Sequence, residues 1–138
     1  MKNRIFSGVF FTLSGSLIAL GPQFLFKVCE RMGDKTMKCF WTSRAELGIG
    51  ALIAVAGLFL LLARSNQFRL GINLSIMLAG ILAVLVPTVL IGVCSMPTMQ
   101  CRLLTLPSIL IISILIETVS AINILFLVKT YKKPAAAI

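Results

Sequence analysis

The chain contains no histidine, and its 138 residues carry only four acidic side chains, one tryptophan and one tyrosine. The missing imidazole argues against zinc and Cu(II) sites of the usual kind, which draw on histidine nitrogen. Charged residues make up only 12% of a sequence that is 59% hydrophobic. A soluble domain of this size could not bury so much apolar surface. The mean hydropathy of +1.05 places the chain among integral membrane proteins, and no long polar stretch remains for a separate soluble domain. Also absent are a basic helix face and an aromatic platform for stacked bases. The net charge of +9 therefore reads as flanking charge on a membrane protein, and nucleic acid is excluded as a partner.

What is present is four apolar runs, at residues 5–26, 47–63, 72–93 and 106–128. Each is close to the length of about 20 residues that crosses a bilayer at roughly 1.5 Å per residue. The first run follows a basic start, Met1-Lys2-Asn3-Arg4, of the kind that opens a signal peptide. It is longer than a usual signal core and no small-x-small cleavage site follows, so it is read as a retained helix. The expected fold is an all-α integral membrane four-helix bundle forming a single transmembrane domain over residues 1–138.

The chain also repeats itself. Gly15, Pro22, Val28 and Cys29 stand 65 residues before Gly80, Pro87, Val93 and Cys94, while Met37, Cys39 and Ser43 stand 62 residues before Met99, Cys101 and Thr105. Two parallel helical hairpins, repeat A over 5–63 and repeat B over 72–128, are the expected units. Pro22 and Pro87 each remove a helix hydrogen bond, so both odd-numbered helices are expected to kink near one membrane face. Ser43-Arg44-Ala45-Glu46 fits a capping box, and Thr105 followed by Pro107 fits a helix start. Both motifs place the even-numbered helices' first turns just after the second cysteine of each pair. Gly50, Ala54 and Gly57 form a small-residue stripe that allows close helix approach, with Gly15 and Gly80 offering the same on the odd-numbered helices.

With four spans the termini share a side. Seven basic residues lie on that side and six on the other, so the basic count is nearly balanced. Glu30, Asp34 and Glu46 all fall on the cysteine side, and cysteines gathered in loops suit an oxidising compartment. The expectation is a bacterial plasma membrane, with both termini cytoplasmic and the cysteine loops extracytoplasmic.

The fourth run is the least apolar in character, with Ser113, Glu117, Thr118, Ser120 and Asn123. Glu117 falls near mid-membrane, where a carboxylate must be neutral, paired or wet. Glu117, Ser113, Ser120 and Asn123 are the candidates for a proton or cation site, or for contact with a partner's transmembrane helix. No basic residue of another span lies deep enough to pair with Glu117.

Three readings of Cys29, Cys39, Cys94 and Cys101 compete. Structural disulfides within each copy, Cys29 with Cys39 and Cys94 with Cys101, are favoured by the duplication, although four cysteines allow three connectivities. A soft-metal site would use Met37, Cys39, Met99 and Cys101, since thiolate and thioether favour Cu(I). Thiol–disulfide exchange linked to quinone is the third, but the gaps between cysteines are longer than the Cys-x-x-Cys of such enzymes. No cofactor is expected.

The segment Met37-Lys38-Cys39-Phe40-Trp41-Thr42-Ser43-Arg44-Ala45-Glu46-Leu47-Gly48-Ile49-Gly50 resembles a bacterial tetraspan family, the domain of unknown function 4418. So do Pro87-Thr88, Gly92-Val93-Cys94, Met99-x-Cys101-Arg102 and Leu106-Pro107, and the likeness covers essentially the whole chain. The resemblance implies a small membrane protein without assigned chemistry, and favours an accessory place beside a larger permease. The expected role is a non-enzymatic accessory or assembly subunit of a larger membrane complex such as an ABC-type transporter. Its partners would be the lipid bilayer and other integral membrane subunits. The alternatives are a membrane thiol oxidoreductase and a Cu(I)-binding membrane protein.

Overall fold

A computed structural model describes residues 2–25, 38–93, 95, 98 and 101–135. Four helices account for nearly all of them: α1 (Lys2–Leu20), α2 (Lys38–Leu62), α3 (Asn66–Leu85) and α4 (Leu106–Ala135). All four, with the turns that extend them, are long and apolar enough to cross a membrane. Helix α1 pairs with α2 and α3 with α4, and α2 is joined to α3 by the short link 63–65.

Each helix turns a narrow stripe inward at alternating spacings of three and four residues. On α1 the stripe is Ser7, Phe11, Ser14 and Ile18, and on α4 it is Ile109, Ser113, Ile116, Ser120, Asn123 and Leu127. Phe11, Ile18, Ile53, Leu60, Ile76 and Ile116 form the centre of the core. Large apolar side chains such as Leu52, Phe59, Leu74, Leu78, Ile114 and Leu125 point away from it and are exposed. That surface would aggregate in water and is at home in lipid.

The α1–α2 pair is the tightest, and glycine is the reason. A methyl placed on Gly15 would land on the backbone of Ala54 and 2.7 Å from the Gly50 carbonyl oxygen. One on Gly50 would land on the backbone of Ala19 and 2.7 Å from the Gly15 carbonyl oxygen. Gly57 lies equally close to Thr12, and Gly8 lies against the Leu61 side chain. The expected small-residue stripe therefore has its partner within the same hairpin, with Gly8 as a further member. Gly80 differs, because a methyl there would meet the carboxylate of Glu117 rather than backbone.

The prolines act as expected in place but through a specific geometry. Gly21–Leu25 and Val86–Leu90 are π-helical turns that follow α1 and α3, with Pro22 and Pro87 both buried in them. A proline nitrogen cannot donate to the carbonyl four residues back, and the chain widens by one residue per turn. The Ile91 N–H accordingly donates to the Val86 carbonyl at 3.0 Å, as does the Gly92 N–H at 3.2 Å. Gly92 then ends the segment with φ of 77°, the left-handed conformation that glycine adopts without strain.

Two expectations at helix starts are corrected. Helix α2 begins at Lys38 and not at residue 47, so Ser43 sits in its second turn and Ser43–Glu46 is no capping box. Residues 38–46 continue the inward stripe of Ile49 and Ile53 through Cys39, Thr42 and Glu46, and that pattern outweighs the local capping signal. Helix α3 begins at Asn66, ahead of the apolar run of 72–93. A π-helical turn, Cys101–Thr105, leads into α4, and among the described residues the Thr105 hydroxyl has no hydrogen-bond partner with which to cap it. Pro107 does lie in the first turn of α4.

Substitution should separate the two kinds of glycine. Gly15→Ala and Gly50→Ala are expected to destabilise the purified protein by about 1–3 kcal/mol, the range for overpacking a tight core. Gly48→Ala and Gly71→Ala, where a methyl meets nothing within 4 Å, should be neutral or stabilise by up to about 1 kcal/mol. Thermal unfolding in a single mild detergent measures all four. Equal effects at the two pairs of sites would contradict the close α1–α2 approach.

Candidate functional site

Two places combine polar chemistry with apolar surroundings. The first is a small cleft where the two π-helical turns meet α2 and α4. Pro22, Pro87, Val93, Leu106 and Ile109 supply its apolar lining, and Cys39, Thr42, Ser43, Glu46 and Thr105 its polar lining. Its volume of about 10 Å³ is roughly that of one ordered water.

Glu46 dominates this cleft and was read from sequence as a cap. It is 0% exposed, and neither carboxyl oxygen has a hydrogen-bond partner among the described residues. The Thr105 hydroxyl, also buried, lacks one as well. Thr42 is engaged: its hydroxyl donates to the Gly92 carbonyl at 2.9 Å, tying α2 to the end of the α3 segment. The signal for Glu46 lay in the spacing Cys39, Thr42, Glu46, Ile49, Ile53, which puts the acid on the buried stripe.

The second place is the polar stretch of α4, where the predicted group divides. Ser113 and Ser120 are fully buried and Asn123 nearly so. The Ser120 hydroxyl donates to the Asn73 carbonyl at 2.7 Å, and Asn123 Oδ1 accepts from Asn3 Nδ2 at 3.4 Å. Asn73 in turn donates to the Arg69 carbonyl at 2.8 Å. These residues join α4 to α3 and α1, and with Ser113 they belong to the interior. Glu117 stands apart on the α3–α4 seam. It is half-buried, it lies over Gly80, and its Oε1 has no hydrogen-bond partner among the described residues. At about 1.5 Å per residue it sits roughly 16 Å along α4 from Leu106, deep in the span.

Of the sulfur candidates, Cys39 lies in the first turn of α2 and is buried in the cleft, not exposed in a loop. Cys29, Cys94, Met37 and Met99 lie outside the described residues, as does the side chain of Cys101. The disulfide pairings and the Cu(I) set thus also lie outside the described residues. Among the described residues no group of three or more Cys, Asp or Glu could hold a metal ion.

Four apolar helices enclosing a sparse polar interior define a multi-pass, all-α membrane protein. Residues 11–126, which include both prolines, Glu46 and Glu117, match the family described as Domain of unknown function (DUF4418), and the chain belongs to it. Comparison with curated proteins and with solved structures found no match.

A buried carboxyl without a partner is destabilising compared with an apolar group of similar shape. Glu46→Met is therefore expected to raise the unfolding free energy by about 1 kcal/mol or more, read from thermal or denaturant unfolding in detergent. A loss of stability would mean that Glu46 has a partner that compensates its burial.

Proposed function

We propose that this protein is a non-enzymatic accessory or assembly subunit that packs against the helices of a larger membrane complex, such as an ABC-type transporter. The observation that carries the reading is Glu117. An acid deep in a span costs about 3 kcal/mol or more when it faces lipid. Here it is half-buried on a helix seam, with one oxygen unpartnered and no described basic side chain bonded to it. A donor from another subunit's helix would complete it. Ser120 and Asn123 support the same division of labour, since they bond to groups within the bundle while Glu117 lies on the α3–α4 seam.

The proposal includes a plasma-membrane setting in bacteria, both termini cytoplasmic and the cysteine-bearing loops outside. It takes the two hairpins as copies of one unit, each closed by a disulfide. The matching π-helical turns at Pro22 and Pro87 support the duplication. One observation favours a second reading, thiol–disulfide exchange: Cys39 lines the same cleft as the carboxyl of Glu46.

Affinity purification of the full chain in mild detergent, with mass spectrometry of what accompanies it, tests the first reading. Glu117→Gln is expected to reduce recovery of a membrane partner several-fold while leaving the bundle's unfolding temperature unchanged. Partner recovery that ignores the substitution would sink the Glu117 contact. A thiol count with and without reductant addresses the second reading. Slowly reduced, fully oxidised pairs fit structural disulfides, and labile or mixed pairs fit exchange.

A further inference from the structure

Three arginines gather at the end of the bundle away from the proline cleft. Arg4 comes from the start of α1, Arg64 from the link between α2 and α3, and Arg69 from the first turn of α3. With Asn3 and Phe126 they line a cleft of about 540 Å³. Neither described acid, Glu46 or Glu117, lines it. Three like charges held together without an anion repel one another.

Their hydrogen-bonding capacity is also largely unused. Arg4 donates one described hydrogen bond, to the Ala63 carbonyl at 3.3 Å. Among the described residues, the buried Nε atoms of Arg4 and Arg69 have no hydrogen-bond partner. A guanidinium is a planar fork of five donors whose geometry matches phosphate oxygens. Arginines from three separate elements can surround such a group from several sides.

We propose that this cleft binds the phosphate headgroup of an anionic phospholipid. Its position favours lipid over a soluble anion. Asn3 and Arg4 begin the first span, and Arg64 and Arg69 flank the start of the third, so the cleft opens at headgroup level. Phe126, half-exposed in the same cleft, supplies an apolar wall for the glycerol and upper acyl chain. A zwitterionic headgroup would bring its own cation against three guanidinium groups, which selects for an anionic lipid without an amine. The site is independent of the accessory-subunit reading and of Glu117.

The full chain, purified in a nonionic detergent, is titrated with dihexanoyl phosphatidylglycerol, dihexanoyl phosphatidylcholine or inorganic phosphate while thermal unfolding is followed. Phosphatidylglycerol is expected to stabilise the protein saturably, with an apparent affinity at least about tenfold above either other ligand. The double variant Arg64→Gln/Arg69→Gln should weaken that affinity by about tenfold or more. Inorganic phosphate binding as tightly as the lipid would overturn the lipid assignment. Equal stabilisation by phosphatidylcholine would do the same, as would a response to phosphatidylglycerol that never saturates. Full affinity in the double variant would remove the arginines from the site. The three-ligand comparison uses the unsubstituted protein and so does not depend on the variant's folding.

Discussion

The close backbone approach of α1 and α2 is the constraint on which the rest of the bundle hangs. In lipid there is no hydrophobic force to press helices together, so association depends on packing and on polar contacts. Gly15 and Gly50 each lie against the backbone of the other helix, flanked by Gly8 and Gly57, and this leaves no space for a side chain at either position. That fixed pair brings Cys39, Thr42 and Glu46 of α2 beside the π-helical turn at Pro22. The second pair is built differently. Gly80 on α3 makes room for a carboxylate instead of for a helix backbone, and the core between the pairs is filled by Ile53, Ile76 and Ile116.

The polar groups of the spans are handled in several ways. Those on the outside bond to their own helix: Thr88, Thr118 and Thr130 each donate to the carbonyl four residues back, at 2.6, 2.8 and 2.9 Å. This satisfies the hydroxyl without a neighbour and suits a side chain that faces lipid. On the inside, Ser120 bonds across to α3 and Thr42 to Gly92, whereas Ser7 and Asn73 bond to carbonyls of their own helices and the Ser113 hydroxyl has no partner among the described residues. Glu46 and Glu117 are the carboxyls among these groups, and with oxygens unpartnered among the described residues both stand out as candidates for chemistry or contact.

Much of the architecture was legible in the residues because membranes permit few solutions. Run length and composition gave four spans, and the spacing of Gly50, Ala54 and Gly57 marked a close-packing face. Pro22 and Pro87 marked the turns, although proline alone does not distinguish a simple kink from a π-helical turn. The first two turns of α2 were harder to read. Lys38, Thr42, Ser43, Arg44 and Glu46 lower the local apolar content, and a run-length criterion drops them before the three-four spacing is noticed. Ser43 to Glu46 also satisfies a local capping pattern, a signal that tertiary burial overrode. In α4 the polar residues were visible, but which of them face inward depends on where α1 and α3 lie. The arginine cleft was the least legible part, because Arg4, Arg64 and Arg69 belong to three elements and only the folded bundle brings them together.

The π-helical turns carry a consequence for how the sequence can change. A turn that holds one extra residue rotates everything beyond it out of phase with the stripe before it. In the second half, the residues that follow Pro87 therefore answer to a different angular frame from those that pack the core. The same break lets Gly92 present its carbonyl to Thr42 across the interface between halves. A deletion within the π-helical turn itself is a different matter, since it would restore the phase and swing that carbonyl away from α2. The turn thus sets the position of Gly92 separately from the register of the core.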